Sequence, residues 1–139
     1  MQRSDTQTIS IEAPRETVLD LVSDPAAFPR WASGFARAVR VDGADWLVAT
    51  GKGEIRLHVR VSREHGTVDF LSAAALPGAE LGVFTRVVPN GRGCDLILTR
   101  FFPDAMTDTD LDDERAVVAV ELQTVRVLSE RGQVRAAAA

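Results

Sequence analysis

The stretch VRVDGADWLVATGKGEIRLHV, residues 39–59, decides how this chain is read. Apolar residues alternate with polar or charged ones on either side of two glycine-bearing turns, which is the period of strands buried on one face. Two-residue loops at Gly43–Ala44 and Lys52–Gly53 close two antiparallel hairpins in this reading. They set Val41 opposite Trp46, Val39 opposite Val48, Val48 opposite Leu57 and Trp46 opposite Val59. All then share one face. Carried through a turn near Glu64 and His65, the register adds Val68 and Phe70 to that face and leaves Glu54, Arg56, His58, Arg60, Thr67 and Asp69 on the other. A half-solvated antiparallel sheet has this pattern.

Downstream, LGVFTRVVPNGRGCDLILTRFF (81–102) reads as the last hairpin, with Asn90–Gly91 in its turn. Both of its faces are partly apolar. Val83, Thr85, Val87, Ile97, Thr99 and Phe101 are assigned inward, and Phe84, Arg86, Val88, Leu96, Leu98 and Arg100 outward, because an unpaired buried guanidinium is costly. After Pro103, the segment TDTDLDDERAVVAVELQTVRVLSERG (107–132) has neither proline nor glycine until Gly132. Leu111, Val118, Leu122 and Val125 fall on one stripe, and Thr107 with Asp110 is close to a capping box. Gly132 is expected to end this helix, which then spans roughly 34 Å and can lie along the inner face of the sheet.

Upstream, Ile9 and Ile11 alternate with Ser10 and Glu12, and Pro14 suits the first turn of a helix through Leu21 and Val22. Pro25 and Pro29 leave room only for a short second helix. The order is strand, two short helices, six strands and a long helix, an α+β domain. Residues 6–130 are expected to form this single domain, with 1–5 and 132–139 as flexible termini.

That order, with APRETVLDLVSDPAAFPRW (13–31), TRVVPNGRG (85–93) and the final helix, resembles the START-related superfamily often called SRPBCC. Polyketide cyclase/dehydrase-like proteins and relatives of the birch-pollen allergen are among its members. The resemblance implies a helix-grip fold, in which a curved antiparallel sheet of about seven strands grips the carboxy-terminal helix. It also implies a cavity between them for an apolar small molecule, with the two short helices closing one end and Phe28, Trp31 and Phe35 at the rim. The ligand-binding residues expected on this basis and on the inward register are Trp31, Phe35, Trp46, Val48, Leu57, Val59, Phe70, Val83, Thr85, Thr99, Phe101, Val118 and Leu122.

An enzyme of this fold needs inward acids, bases or donors. The inward positions above are apolar except for threonine and serine hydroxyls, a lining that suits binding. Cyclases of the superfamily tend to hold a polyketide with an arginine and tyrosines; here there is no tyrosine, and Arg56, Arg60, Arg86 and Arg100 are read as outward. Arg37, near a strand end, is the remaining inward candidate. The leading expectation is a binder of a small hydrophobic molecule such as a lipid, isoprenoid or polyketide-like compound, with no catalytic residue assigned. The alternatives are a cyclase or dehydratase acting on such a molecule and an interaction module whose cavity is collapsed.

His58 and His65 are read as solvated. Asp108, Asp110 and Asp112 start like a calcium loop, but Asp113 stands at its glycine position and Ala119 at its final glutamate. Acids in a first helical turn need no ion. No metal and no cofactor are expected, and Cys94, the single cysteine, is taken as structural. A net charge of -4 without a basic run excludes a nucleic-acid footprint. No stretch of 18 uncharged apolar residues offers stable membrane insertion, and a start without a signal peptide points to the cytoplasm. An outward cluster of Phe84, Leu96 and Leu98 makes a homodimer the expected protein partner.

Overall fold

In the computed structural model, which describes residues 1–72 and 81–138, seven antiparallel strands form one sheet. Strand β1 (Arg3–Ile11) leads into helix α1 (Arg15–Val22), a 3₁₀ turn at Pro25–Ala27 and the one-turn helix α2 (Phe28–Trp31). Then come β2 (Ala38–Asp42), β3 (Asp45–Thr50), β4 (Gly53–Ser62), β5 (Thr67–Ser72), β6 (Leu81–Asn90), β7 (Gly93–Phe102) and the long helix α3 (Asp108–Ala138). The strand order is β1-β7-β6-β5-β4-β3-β2, which leaves β1 and β2 at the edges. This is the helix-grip fold. No helix of the described residues is long and apolar enough to cross a membrane.

The middle strands follow the expected alternation. Val39 pairs with Val48 and Val41 with Trp46 around a turn at Gly43, whose φ of 63° suits a tight hairpin. The next turn falls at Gly51–Lys52, one residue earlier than expected. Thr50 holds it: its hydroxyl donates to the Gly53 carbonyl at 2.6 Å and accepts from the Lys52 amide at 3.2 Å. Trp46 therefore meets Leu57, and Val48 meets Ile55, a register two residues away from the expected one but with the same faces inward. Val59 pairs with Phe70, and Val68 is fully buried.

The last hairpin departs further. It turns on Gly91–Arg92, with Gly91 at a φ of 58°, and pairs Asn90 with Gly93. Thr85 then lies opposite Leu98, Val87 opposite Leu96 and Val83 opposite Arg100. A change of one residue in the offset between strands moves a whole strand's side chains to the other face. So Leu96, Leu98 and Phe102 are buried inside, whereas Thr99 and Phe101 face outward, contrary to their expected ligand role. The Thr99 hydroxyl meets that of Thr6 at 2.8 Å, and the Phe101 ring packs edge-on against Phe84 at 5.9 Å. The expected Phe84, Leu96, Leu98 outer cluster is thus replaced by Phe84 with Phe101.

Arg100 points inward. Burial is tolerable because it is paired: Glu114 of α3 accepts from it at 2.9 Å, and the Phe102 ring lies 5.0 Å from its guanidinium carbon. It belongs to a series of polar contacts that fasten α3 to β1 and β7. Arg115 binds the largely buried carboxylate of Asp5 at 2.9 Å, Arg3 binds Asp108 at 2.8 Å, and Gln7 donates to the Arg115 carbonyl at 2.9 Å. Arg3 to Asp5 are consequently part of the sheet rather than a free end.

Helix α3 starts as expected, the Thr107 hydroxyl accepting from the Asp110 amide at 3.1 Å. Leu111, Val118, Leu122 and Val125 are buried against the sheet. It does not end at Gly132 but continues to Ala138, the alanine-rich tail being a strong helix former. Two glycine substitutions test these features. Gly132→Ala adds a methyl group into open space and should stabilise the protein by about 0.5–1 kcal/mol if the helix runs through this position. Gly93→Ala would press a methyl group into the Ile11 carbonyl and should cost on the order of 1–3 kcal/mol, read by urea denaturation.

Candidate functional site

The short helix α2 sets one wall of the site. Pro25 and Pro29 keep it to a single turn, and this turn delivers Phe28 and Trp31 together to the interior. Trp31 packs edge-on against Phe28 at 5.6 Å, and Phe28 against Phe70 of β5 at 5.3 Å, an aromatic path from α2 to the inner face of the sheet. Beyond Trp31 the chain passes through Ser33 and Gly34 beside α3. Between these segments runs a groove of about 390 Å³, lined by Trp31, Ser33, Gly34, Ala116, Val117, Val120, Glu121 and Thr124. Val117 and Val120 are 40% and 66% exposed there, large apolar side chains that α3 leaves uncovered.

The groove has one ionisable residue among its described lining, Glu121. Its carboxyl lies half-buried on the same helical face as Glu114, Val118 and Val125. Burial pushes its pKa from the ordinary 4.5 up to about 7; Arg100 opposes the shift and Glu114 adds to it. Two further polar groups in the fold are unusual. The indole Nε1 of Trp31 and the hydroxyl of Thr85 are buried without a hydrogen-bond partner. A buried donor without a partner is rare in folded proteins and costly. Thr124, by contrast, donates to the Val120 carbonyl at 2.8 Å.

Of the residues expected to bind ligand, Trp31 lines the groove. Thr85 lies buried on the inner face, where Phe70, Val83 and Val59 are also found. Trp46 is half-buried farther along the sheet, and Val48 and Leu57 are buried core. Val118 and Leu122 also pack in the core, beside the groove rather than in it. Phe35 is 37% exposed and does not line the groove. Arg37, the expected inward arginine, is exposed, its guanidinium lying near Gly51; the inward arginine is Arg100. Glu121 is legible in principle, since it falls three residues after Val118 and four before Val125 on the apolar stripe. A second, more polar groove of about 320 Å³ lies between α1 and the distal part of α3, at Asp20, Asp24, Arg30 and Ser129.

Comparison with known proteins agrees with this architecture. Residues 2–122 match the family described as polyketide cyclase / dehydrase and lipid transport. Among solved structures, a START superfamily protein from Mycobacterium smegmatis superposes with a TM-score of 0.74, at 12% identity over 94% of this chain and 99% of that one. A protein from Thermobifida fusca gives a TM-score of 0.71 at 20% identity, over 92% and 93%. Norcoclaurine synthase from Thalictrum flavum, solved with dopamine and hydroxybenzaldehyde, gives 0.67 at 12% identity, over 92% and 86%. These identities speak for a shared fold. No curated protein matches the sequence. The seven-stranded sheet gripping α3 and the family match over most of the chain give the same answer: this chain belongs to the polyketide cyclase/dehydrase and lipid transport family.

Proposed function

We propose that this protein binds a small, largely apolar molecule that enters at the groove between α2 and α3 and reaches toward the inner face of the sheet. The observation that carries the reading is an uncovered apolar groove along Val117, Val120 and Trp31. Apolar surface removed from water at Val117, Val120 and Trp31 contributes about 25 cal/mol per Å², and the polar groups orient what is bound. A lipid, an isoprenoid or a polyketide-like compound meets these requirements, and the family description names lipid transport.

A second reading is favoured by Glu121 and Arg100. A carboxyl whose pKa is raised to about 7 exchanges protons at neutral pH, and the inward guanidinium adds a fixed positive charge beside it. Proton transfer to or from the bound molecule, as in a cyclisation or dehydration, is the chemistry this pair fits.

Native mass spectrometry of freshly purified protein, followed by solvent extraction, should recover an apolar small molecule. Ala116→Phe fills the groove from an exposed helical position. It should leave folding stability within about 0.5 kcal/mol and abolish thermal shifts from a fatty-acid, sterol and polyphenol panel. Repeated recovery of nothing, with no thermal shift in the unaltered protein, would end the binding reading.

Glu121 gives a separate outcome in the absence of ligand. Between pH 4.5 and about 7 the folded protein keeps a proton that the unfolded chain has released, so this group's contribution makes stability fall as pH rises through that window. Glu121→Gln should therefore be more stable than the unaltered protein at about pH 8, with the advantage shrinking toward about pH 5. Urea denaturation at the two pH values reads the difference. An equal offset at both would contradict the raised pKa.

A further inference from the structure

The polar groove between α1 and the distal part of α3 carries charges of both signs and shares no lining residue with the groove proposed above. Asp20 and Leu21 come to it from α1, Asp24 from the cap of the 3₁₀ turn, Arg30 from α2 and Leu128 from α3. Both carboxylates are held by the protein itself. Asp20 accepts from Arg63 at 2.6 Å, and Oδ1 of Asp24 accepts from the Ala26 amide at 3.1 Å, which leaves Oδ2 of Asp24 without a partner among the described residues. Arg30 is exposed and makes no hydrogen bond or ion pair with any described residue, although it lines the same groove as both acids. The charges therefore balance, Asp20 against Arg63 and Asp24 against Arg30, but only the first pair is closed. An anion drawn to Arg30 would meet the Asp24 carboxylate, and a cation drawn to Asp24 would meet the Arg30 guanidinium. A molecule with one charge of each sign satisfies both.

We propose that this groove binds a small zwitterion, a cationic nitrogen and an anionic oxygen acid on one short skeleton, with the nitrogen at the Asp24 carboxylate and the acid at the Arg30 guanidinium. Its volume of about 320 Å³ stands at the lower end of small-molecule sites and suits a compact ligand. Asp24 is already oriented by its bond to the Ala26 amide, so little ordering is needed on that side. Arg30 offers a planar fork of donors that matches a carboxylate or a phosphate at two points. Leu21 and Leu128 supply apolar surface for the skeleton between the charges. The proposal does not rest on the ligand reading of the groove between α2 and α3. Free amino acids and the headgroups of zwitterionic phospholipids carry the same pair of charges, and the test separates these two sources.

Amide-resolved NMR titration of the full chain at about pH 7 compares 4-aminobutyrate with butyrate and butylamine, each of which carries one of its two charges. 4-Aminobutyrate should bind more tightly than either by roughly two- to fivefold, the range of one exposed ion pair, with the largest shifts at Asp24, Ala26 and Arg30. Asp24→Asn keeps an oxygen for the Ala26 amide and removes the charge. In this variant 4-aminobutyrate should fall to the affinity of butyrate, while butyrate itself is not weakened. Arg30→Gln should bring 4-aminobutyrate down to butylamine and spare butylamine. Each variant weakens one probe and spares another, an exchange that a general loss of folding does not produce. Vesicles of equal parts phosphatidylcholine and phosphatidylethanolamine identify the source. Co-sedimentation that is lost in both variants assigns the site to lipid headgroups, whereas 4-aminobutyrate binding without co-sedimentation assigns it to a free molecule. The proposal is overturned if 4-aminobutyrate binds no more tightly than its singly charged analogues, if both variants leave its affinity unchanged, or if no probe shifts the amides between Asp20 and Arg30.

Discussion

A two-residue turn at Gly91–Arg92 determines which face of β7 looks inward, and much of the molecule depends on it. With Asn90 opposite Gly93, the even-numbered residues of β7 enter the grip, and Arg100 comes with them. That guanidinium would be costly without a partner, and α3 supplies one in Glu114. Asp5 with Arg115 and Arg3 with Asp108 continue the contact along the same flank. The helix is therefore located by directional polar pairs as well as by its apolar stripe. Hydrophobic contact alone would allow it to slide or rotate; paired charges on two neighbouring strands specify a position.

The consequence for the site is geometric. Helix α3 packs over β1 and against α1, and the single turn of α2 also touches it. Trp31, Ser33 and Gly34 do not cover Val117 and Val120, and the groove is the space left between them. Glu121 is close enough to Arg100 to feel its charge and far enough out to line the groove. The contacts that anchor the helix and the carboxyl that lines the groove thus share one short run of α3.

The middle of the sheet is legible in the sequence because its two faces differ in kind. Residues such as Arg56, His58 and Arg60 alternate with Leu57 and Val59, so even a turn misplaced by one residue at Gly51 leaves the faces intact. β7 has no such contrast: Leu96 and Leu98 on one side face Ile97 and Phe101 on the other, and hydropathy cannot choose between them. An unpaired arginine belongs outside, but Arg100 has a partner fourteen residues away on a helix, a pairing that strand periodicity does not reveal. β1 reads too short for a related reason. Its inward residues Arg3, Asp5 and Gln7 are polar and look like a tail until α3 is placed over them. Among the site residues, the two prolines and the neighbouring Phe28 mark Trp31, whereas Glu121 looks like one more acid on an acidic helix.

The edge at β2 carries an implication of a different sort. An open sheet has two rims where another chain's strand could add, here β1 and β2. β2 is only five residues long, and its outward side chains Arg40 and Asp42 are bound to Glu54 and Arg56. A short, charged rim offers few backbone bonds to an incoming strand and requires it to accommodate fixed ion pairs. At this rim a protein with exposed valines around its groove is thereby protected against the more damaging kind of self-association, growth of the sheet from molecule to molecule.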